Sequence, residues 1–140
     1  MIQRMQTLWL VLGAALSVAG TQLSFFSGNR LNATTQVKEW VEFTATQNTW
    51  VLMVNVAIAV AALVAIFLFK DRKRQLLITL LVVLLSLLSM GLYFNAKQGF
   101  AEANLDLGAL LAFCQPLVLL LAARGIYRDE KLVKSADRLR

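Results

Sequence analysis

The sequence predicts an all-α fold: an integral membrane bundle of four transmembrane helices in antiparallel up-down order, with an amphipathic C-terminal helix. Three observations carry this expectation. Four apolar stretches, 7–27, 49–69, 75–95 and 107–127, each end where charge resumes. A helix rising about 1.5 Å per residue needs about 20 apolar residues to cross a hydrocarbon core about 30 Å thick, and each stretch is that long. The chain is 59% apolar with a mean hydropathy of +0.66, above the roughly 45–50% apolar content of ordinary soluble domains. Basic residues alternate between the loops. Arg4, then Lys70, Arg72, Lys73 and Arg74, then Arg124, Arg128, Lys131, Lys134, Arg138 and Arg140 fall on one side, against Arg30, Lys38 and Lys97 on the other. Lysine and arginine stay in the cytoplasm during insertion, so both termini are predicted cytoplasmic and two loops face outward.

The first three stretches contain no charged residue, and the fourth carries Arg124 near its end, where a long side chain reaches the headgroups. Gly13, Ser17, Gly20, Thr21 and Gln22 give the first stretch a small and polar stripe suited to close helix approach. Its opening also fits a signal peptide, with Ser17-Val18-Ala19 before Gly20 as a cleavage site. Apolar character continues through Leu23, Phe25 and Phe26, which favours a retained span. In the loop that follows, Val37, Trp40, Val41 and Thr44 fit a helical face, while Val37, Glu39, Val41 and Phe43 fit a strand. Period alone leaves that choice open. Trp40, Phe43 and Trp50 are expected to anchor the loop at the outer membrane surface. Asn32-Ala33-Thr34 matches a short and common glycosylation pattern, to which no role is assigned. Ala57, Ala61 and Ala65 make a flat face on the second span, for packing within the chain or, as the sharper alternative, for a homodimer seam. Pro116 cannot donate to the Ala112 carbonyl, so the fourth helix is expected to bend there.

Among polar residues at membrane depth, Gln22, Asn55, Ser86, Ser89 and Gln115 are expected to form an intramembrane cluster between helices, because a buried amide without a partner costs roughly 2 kcal/mol or more. Ion-coupled carriers place ionisable groups at the midplane, where these stretches have none, and the chain has no histidine. The acids, Glu39, Glu42, Asp71, Glu102, Asp106, Asp129, Glu130 and Asp137, lie outside the apolar stretches. Glu102 and Asp106 sit at i,i+4 spacing, which suits a helical pair or a cap equally. With no metal-ligand cluster and no glycine-rich phosphate loop, no catalytic residue, cofactor or metal is expected. The net charge of +6 sits beside the spans, which assigns it to topology and anionic headgroups rather than nucleic acid. Cys114, the single cysteine, has no partner for an internal disulfide. The expected organisation is one transmembrane domain, 1–127, followed by a basic tail, 128–140.

In the tail, Leu132, Ala136 and Leu139 recur at helical spacing, and Glu130 and Lys134 are placed for an i,i+4 pair. The tail either continues the fourth helix or turns at Gly125 to lie on the membrane. Lys70, Arg72, Lys73, Arg74, Arg128, Lys131, Lys134, Arg138 and Arg140 form the expected contact surface for anionic lipid or a partner. The opening Met1-Ile2-Gln3-Arg4, the step Ile66-Phe67-Leu68-Phe69-Lys70-Asp71-Arg72-Lys73 and the run from Arg128 to Arg140 resemble a family of small four-helix membrane proteins of unknown function from Bacteroidota-type bacteria. The resemblance spans nearly the whole chain and implies an inner-membrane address, with no catalytic residues to carry over. The function expected is that of a non-enzymatic inner-membrane protein contacting lipid, a membrane partner complex or further copies of itself. A small transporter or channel for a neutral or apolar solute is the alternative, and an enzyme acting on lipid ranks last.

Overall fold

The computed structural model describes residues 2–139. Its elements run α1 (Ile2–Gln22), β1 (Phe26–Leu31), β2 (Lys38–Phe43), a short 3-10 turn (Ala45–Gln47), α2 (Thr49–Phe67), α3 (Arg72–Lys97), β3 (Glu102–Leu105) and α4 (Leu107–Arg138). Three of the helices, α2, α3 and α4, are long and apolar enough to cross a membrane. Each helix packs on the next and α4 closes back on α1, which leaves α1 and α3 diagonal. Neighbours run in opposite directions: α2 meets α3 through Asn55 and Ser89 at one level and Ala65 and Gln75 at another, and α1 meets α4 through Gly13 and Leu119 and, nearer the termini, Gln6 and Gly125.

The expectation of an all-α fold needs one correction: the end of the bundle opposite the termini carries a three-stranded antiparallel sheet in the order β2-β1-β3. The apolar stretch that runs to residue 27 does not stay helical. α1 stops at Gln22, and Phe25 and Phe26 enter an aromatic cluster in which Phe25 stacks on Tyr93, while Phe26 stacks on Phe43 and meets Phe100 edge-on. Hydropathy does not separate a phenylalanine that faces lipid from one that roots a folded cap. Strand pairing sets Phe26 opposite Phe43 and Leu31 opposite Lys38. The hairpin loop is shaped by Asn32, whose side-chain oxygen accepts from the Thr34 amide and hydroxyl, and by Gln36 in the left-handed region at φ 51°.

Side-chain caps start α2 and α3. Asn48 accepts from the Trp50 amide at the head of α2, and Asp71 from the Arg74 amide at the head of α3. Asp106 precedes α4 and accepts from the Ser24 hydroxyl at 2.9 Å, which ties the end of α1 to the start of α4. Glu102, by contrast, is a strand residue whose carboxylate accepts from the Asn29 amide. Pro116 lies buried inside α4. α4 continues without a break through Gly125, so the tail is the last turns of the same helix.

The middle of the bundle is filled by small and branched side chains, among them Leu10, Ala14, Ile58, Ala62, Val82, Leu119 and Ala122. Its outer surface is apolar on every helix: Leu8 and Val18 on α1, Val60 and Leu63 on α2, Leu84 and Leu88 on α3, Leu117 and Leu121 on α4 are all exposed. Polar groups inside and an apolar girdle outside are the arrangement of a membrane protein, whereas a soluble monomer rarely shows so large an apolar surface.

Candidate functional site

Asn55, on the inward face of α2, is the centre of a buried polar cluster. Its side-chain amide donates to the Tyr93 hydroxyl at 3.0 Å, and its side-chain oxygen accepts from the Ser89 hydroxyl at 3.0 Å. Its backbone carbonyl accepts from the Ser17 hydroxyl at 2.7 Å, and Tyr93 donates onward to the Gly20 carbonyl at 3.4 Å. Three helices are joined by four bonds among groups that satisfy one another. Such a network fixes helix positions.

Of the expected intramembrane cluster, Ser89 meets Asn55, and the other members go elsewhere. Gln22 is exposed at the end of α1. The Ser86 hydroxyl turns back to the Val83 carbonyl of its own helix at 2.7 Å. Gln115 is buried next to Pro116, with its amide nitrogen unpartnered among the described residues. Ser17 and Tyr93 take their places around Asn55. Substituting Asn55→Leu leaves Ser89 and Tyr93 without their partner and is expected to cost about 1–2 kcal/mol, the scale of interhelical hydrogen bonds in membranes. Denaturant titration in detergent micelles measures it, and an unchanged midpoint would mean that the cluster holds nothing together.

At the end of the bundle that carries both termini, the basic residues divide. Arg72 turns inward and forms a salt bridge with Asp129 of α4, their side chains only 15% and 10% exposed. The same guanidinium donates to Gln6 of α1 at 3.5 Å. Nearby, the Gln75 amide donates to the Ala65 carbonyl at 3.0 Å and closes α3 on α2. Arg74 pairs with Asp71 at 3.0 Å on the surface, and Lys134 with Glu130 at 2.7 Å, at the spacing the sequence offers. Lys70, Lys73, Arg128 and Lys131 are exposed and carry no ion pair among the described residues, and Arg138 is exposed in the last turn of α4. Arg140 lies outside the described residues. Arg128 and Lys131 border an open cleft of about 620 Å³, together with Gly125, Tyr127, Leu132 and Ser135.

The Arg72–Asp129 link is absent from the expected site because Arg72 reads, beside Lys70, Lys73 and Arg74, as one more surface base. Residues 2–139 match the model of a family described as a domain of unknown function, DUF4293. No curated protein and no solved structure matches the chain.

Proposed function

The chain belongs to the DUF4293 family, and from that premise we propose that it is a non-enzymatic four-pass protein of a bacterial inner membrane whose 70–74 loop and α4 tail engage anionic lipid and dock a membrane partner complex. Both termini lie in the cytoplasm. α1 supplies the fourth crossing: its outward residues Leu8, Val11, Leu12 and Val18, 43–60% exposed, extend the apolar girdle of the other three helices.

The observation that carries the docking reading is the length of α4. Its 32 residues reach about 48 Å, whereas the apolar part up to residue 127 takes about 31 Å. The end of α4 therefore stands about 16 Å beyond the hydrocarbon, about 10 Å past a headgroup layer about 6 Å deep, where charge at physiological salt is felt over roughly 8 Å. Arg128 and Lys131 are at headgroup level and serve lipid. Lys134, paired with Glu130, stays within the field of the headgroups, whereas Arg138 and Leu139 stand at its limit and, with Leu132 and Val133 exposed around the helix, offer basic and apolar contacts to a protein.

Removing 135–140 is expected to leave membrane insertion and abundance intact and to strip specific companions from the protein purified in mild detergent. Unchanged companions would rule out docking through the tail.

A further inference from the structure

β2 is an edge strand, and its free edge is complementary to itself. At the closed end of the β1–β2 hairpin the Asn32 amide donates to the Val37 carbonyl. Antiparallel pairing alternates from there, so Val37, Glu39, Val41 and Phe43 turn their backbone groups to β1, and Lys38, Trp40 and Glu42 turn theirs outward. The Gln47 side chain reaches the Glu42 carbonyl at 2.7 Å from outside the sheet, in agreement with that direction, and leaves the oxygen a second lone pair. Trp40, in the middle of this edge, is 60% exposed. An edge with open N–H and C=O groups is a template for another strand.

We propose that β2 pairs antiparallel with β2 of a second copy of this chain, about a twofold axis at Trp40. Charge selects the register. Centring the pair on Lys38, Glu39 or Glu42 sets that charge against its own copy, which destabilises a ladder. Centring on Val41 sets Trp40 against Glu42 and shortens the overlap. Centring on Trp40 sets Lys38 against Glu42 twice and Trp40 against Trp40, and all of these residues are ones whose backbone groups face the open edge. Two copies inserted alike in one bilayer are related by an axis along the membrane normal, a condition that antiparallel pairing of β2 meets with strands running across that axis. This surface is separate from the α4 tail and does not depend on what the tail binds.

Disulfide trapping in native membranes, in a Cys114→Ser background, tests the register. Paired residues in this geometry have Cα atoms about 5.5 Å apart, inside the range that a disulfide spans. Trp40→Cys is therefore expected to give a covalent dimer on oxidation. Lys38→Cys and Glu42→Cys are each expected to stay monomeric alone and to cross-link when differently tagged copies are coexpressed. Lys38→Glu or Glu42→Lys, added to Trp40→Cys, is expected to lose the dimer, and both together to restore it. A Trp40→Cys chain that remains monomeric, a Glu42→Cys chain that cross-links with itself, or charge reversals without effect would each overturn the proposal.

Discussion

Asp129→Ala is expected to lower the stability of the bundle by about 3 kcal/mol, the low end of what is lost when one partner of a buried ion pair is removed. The side chains of Arg72 and Asp129 are 15% and 10% exposed, so the guanidinium left behind is neither well hydrated nor paired. Gln6 is its remaining partner, at 3.5 Å. The pair joins α3 to α4 at the very start of α3, and Gln6 brings in α1, so the loss is felt at one corner by three helices. Replacing both members by apolar residues, Arg72→Met with Asp129→Leu, is expected to cost less than Asp129→Ala alone, because no orphaned charge remains. Denaturant titration in micelles of the single and double variants distinguishes the cases. A loss below about 0.5 kcal/mol for Asp129→Ala would place the pair among exposed salt bridges and remove it as a lock.

Gly28→Val is expected to part β3 from β1 and to cost about 2–3 kcal/mol, with alanine at the same position not much milder. A Cβ at residue 28 would lie 1.7 Å from the Glu102 carbonyl oxygen, 2.7 Å from its carbon and 2.9 Å from the Ala103 Cα. All three are backbone atoms of the neighbouring strand and cannot swing away as a side-chain end would. Gly20 and Gly91 have nothing within 4 Å of the same position, so Gly20→Ala and Gly91→Ala are expected to be nearly neutral. Amide exchange across Glu102–Leu105 reports the difference: fast exchange in the Gly28 variants and wild-type protection in the other two. Equal protection in all of them would mean that β3 is held by something other than its pairing with β1.

The helices were legible because lipid imposes a length, and a run of about 20 apolar residues bounded by charge has few other uses. The sheet was not. Val37, Glu39, Val41 and Phe43 alternate as a strand does, yet the same segment also fits a helix, and β1 is disguised as the tail of an apolar run. The polar cluster was legible in part: Asn55 is at its centre, but the composition of a span that is apolar on all sides does not say which face turns inward. Ser86 and Ser89 sit one turn apart on α3, and only Ser89 reaches Asn55. The Arg72–Asp129 bridge joins residues 57 positions apart, and nothing local to either residue announces the other.

Labelling from outside the cell addresses the four crossings most directly. In the Cys114→Ser background, a cysteine at Thr35 is expected to react with a membrane-impermeant maleimide in intact cells. Cysteines at Lys73 and Ser135, and a tag placed at the amino terminus, are expected to become accessible only after the membrane is opened. Labelling of Ser135→Cys in intact cells alongside Thr35→Cys, or an amino-terminal tag exposed on the outer side, would mean that the chain crosses an odd number of times or lies the other way round, and the arrangement described here would have to be abandoned.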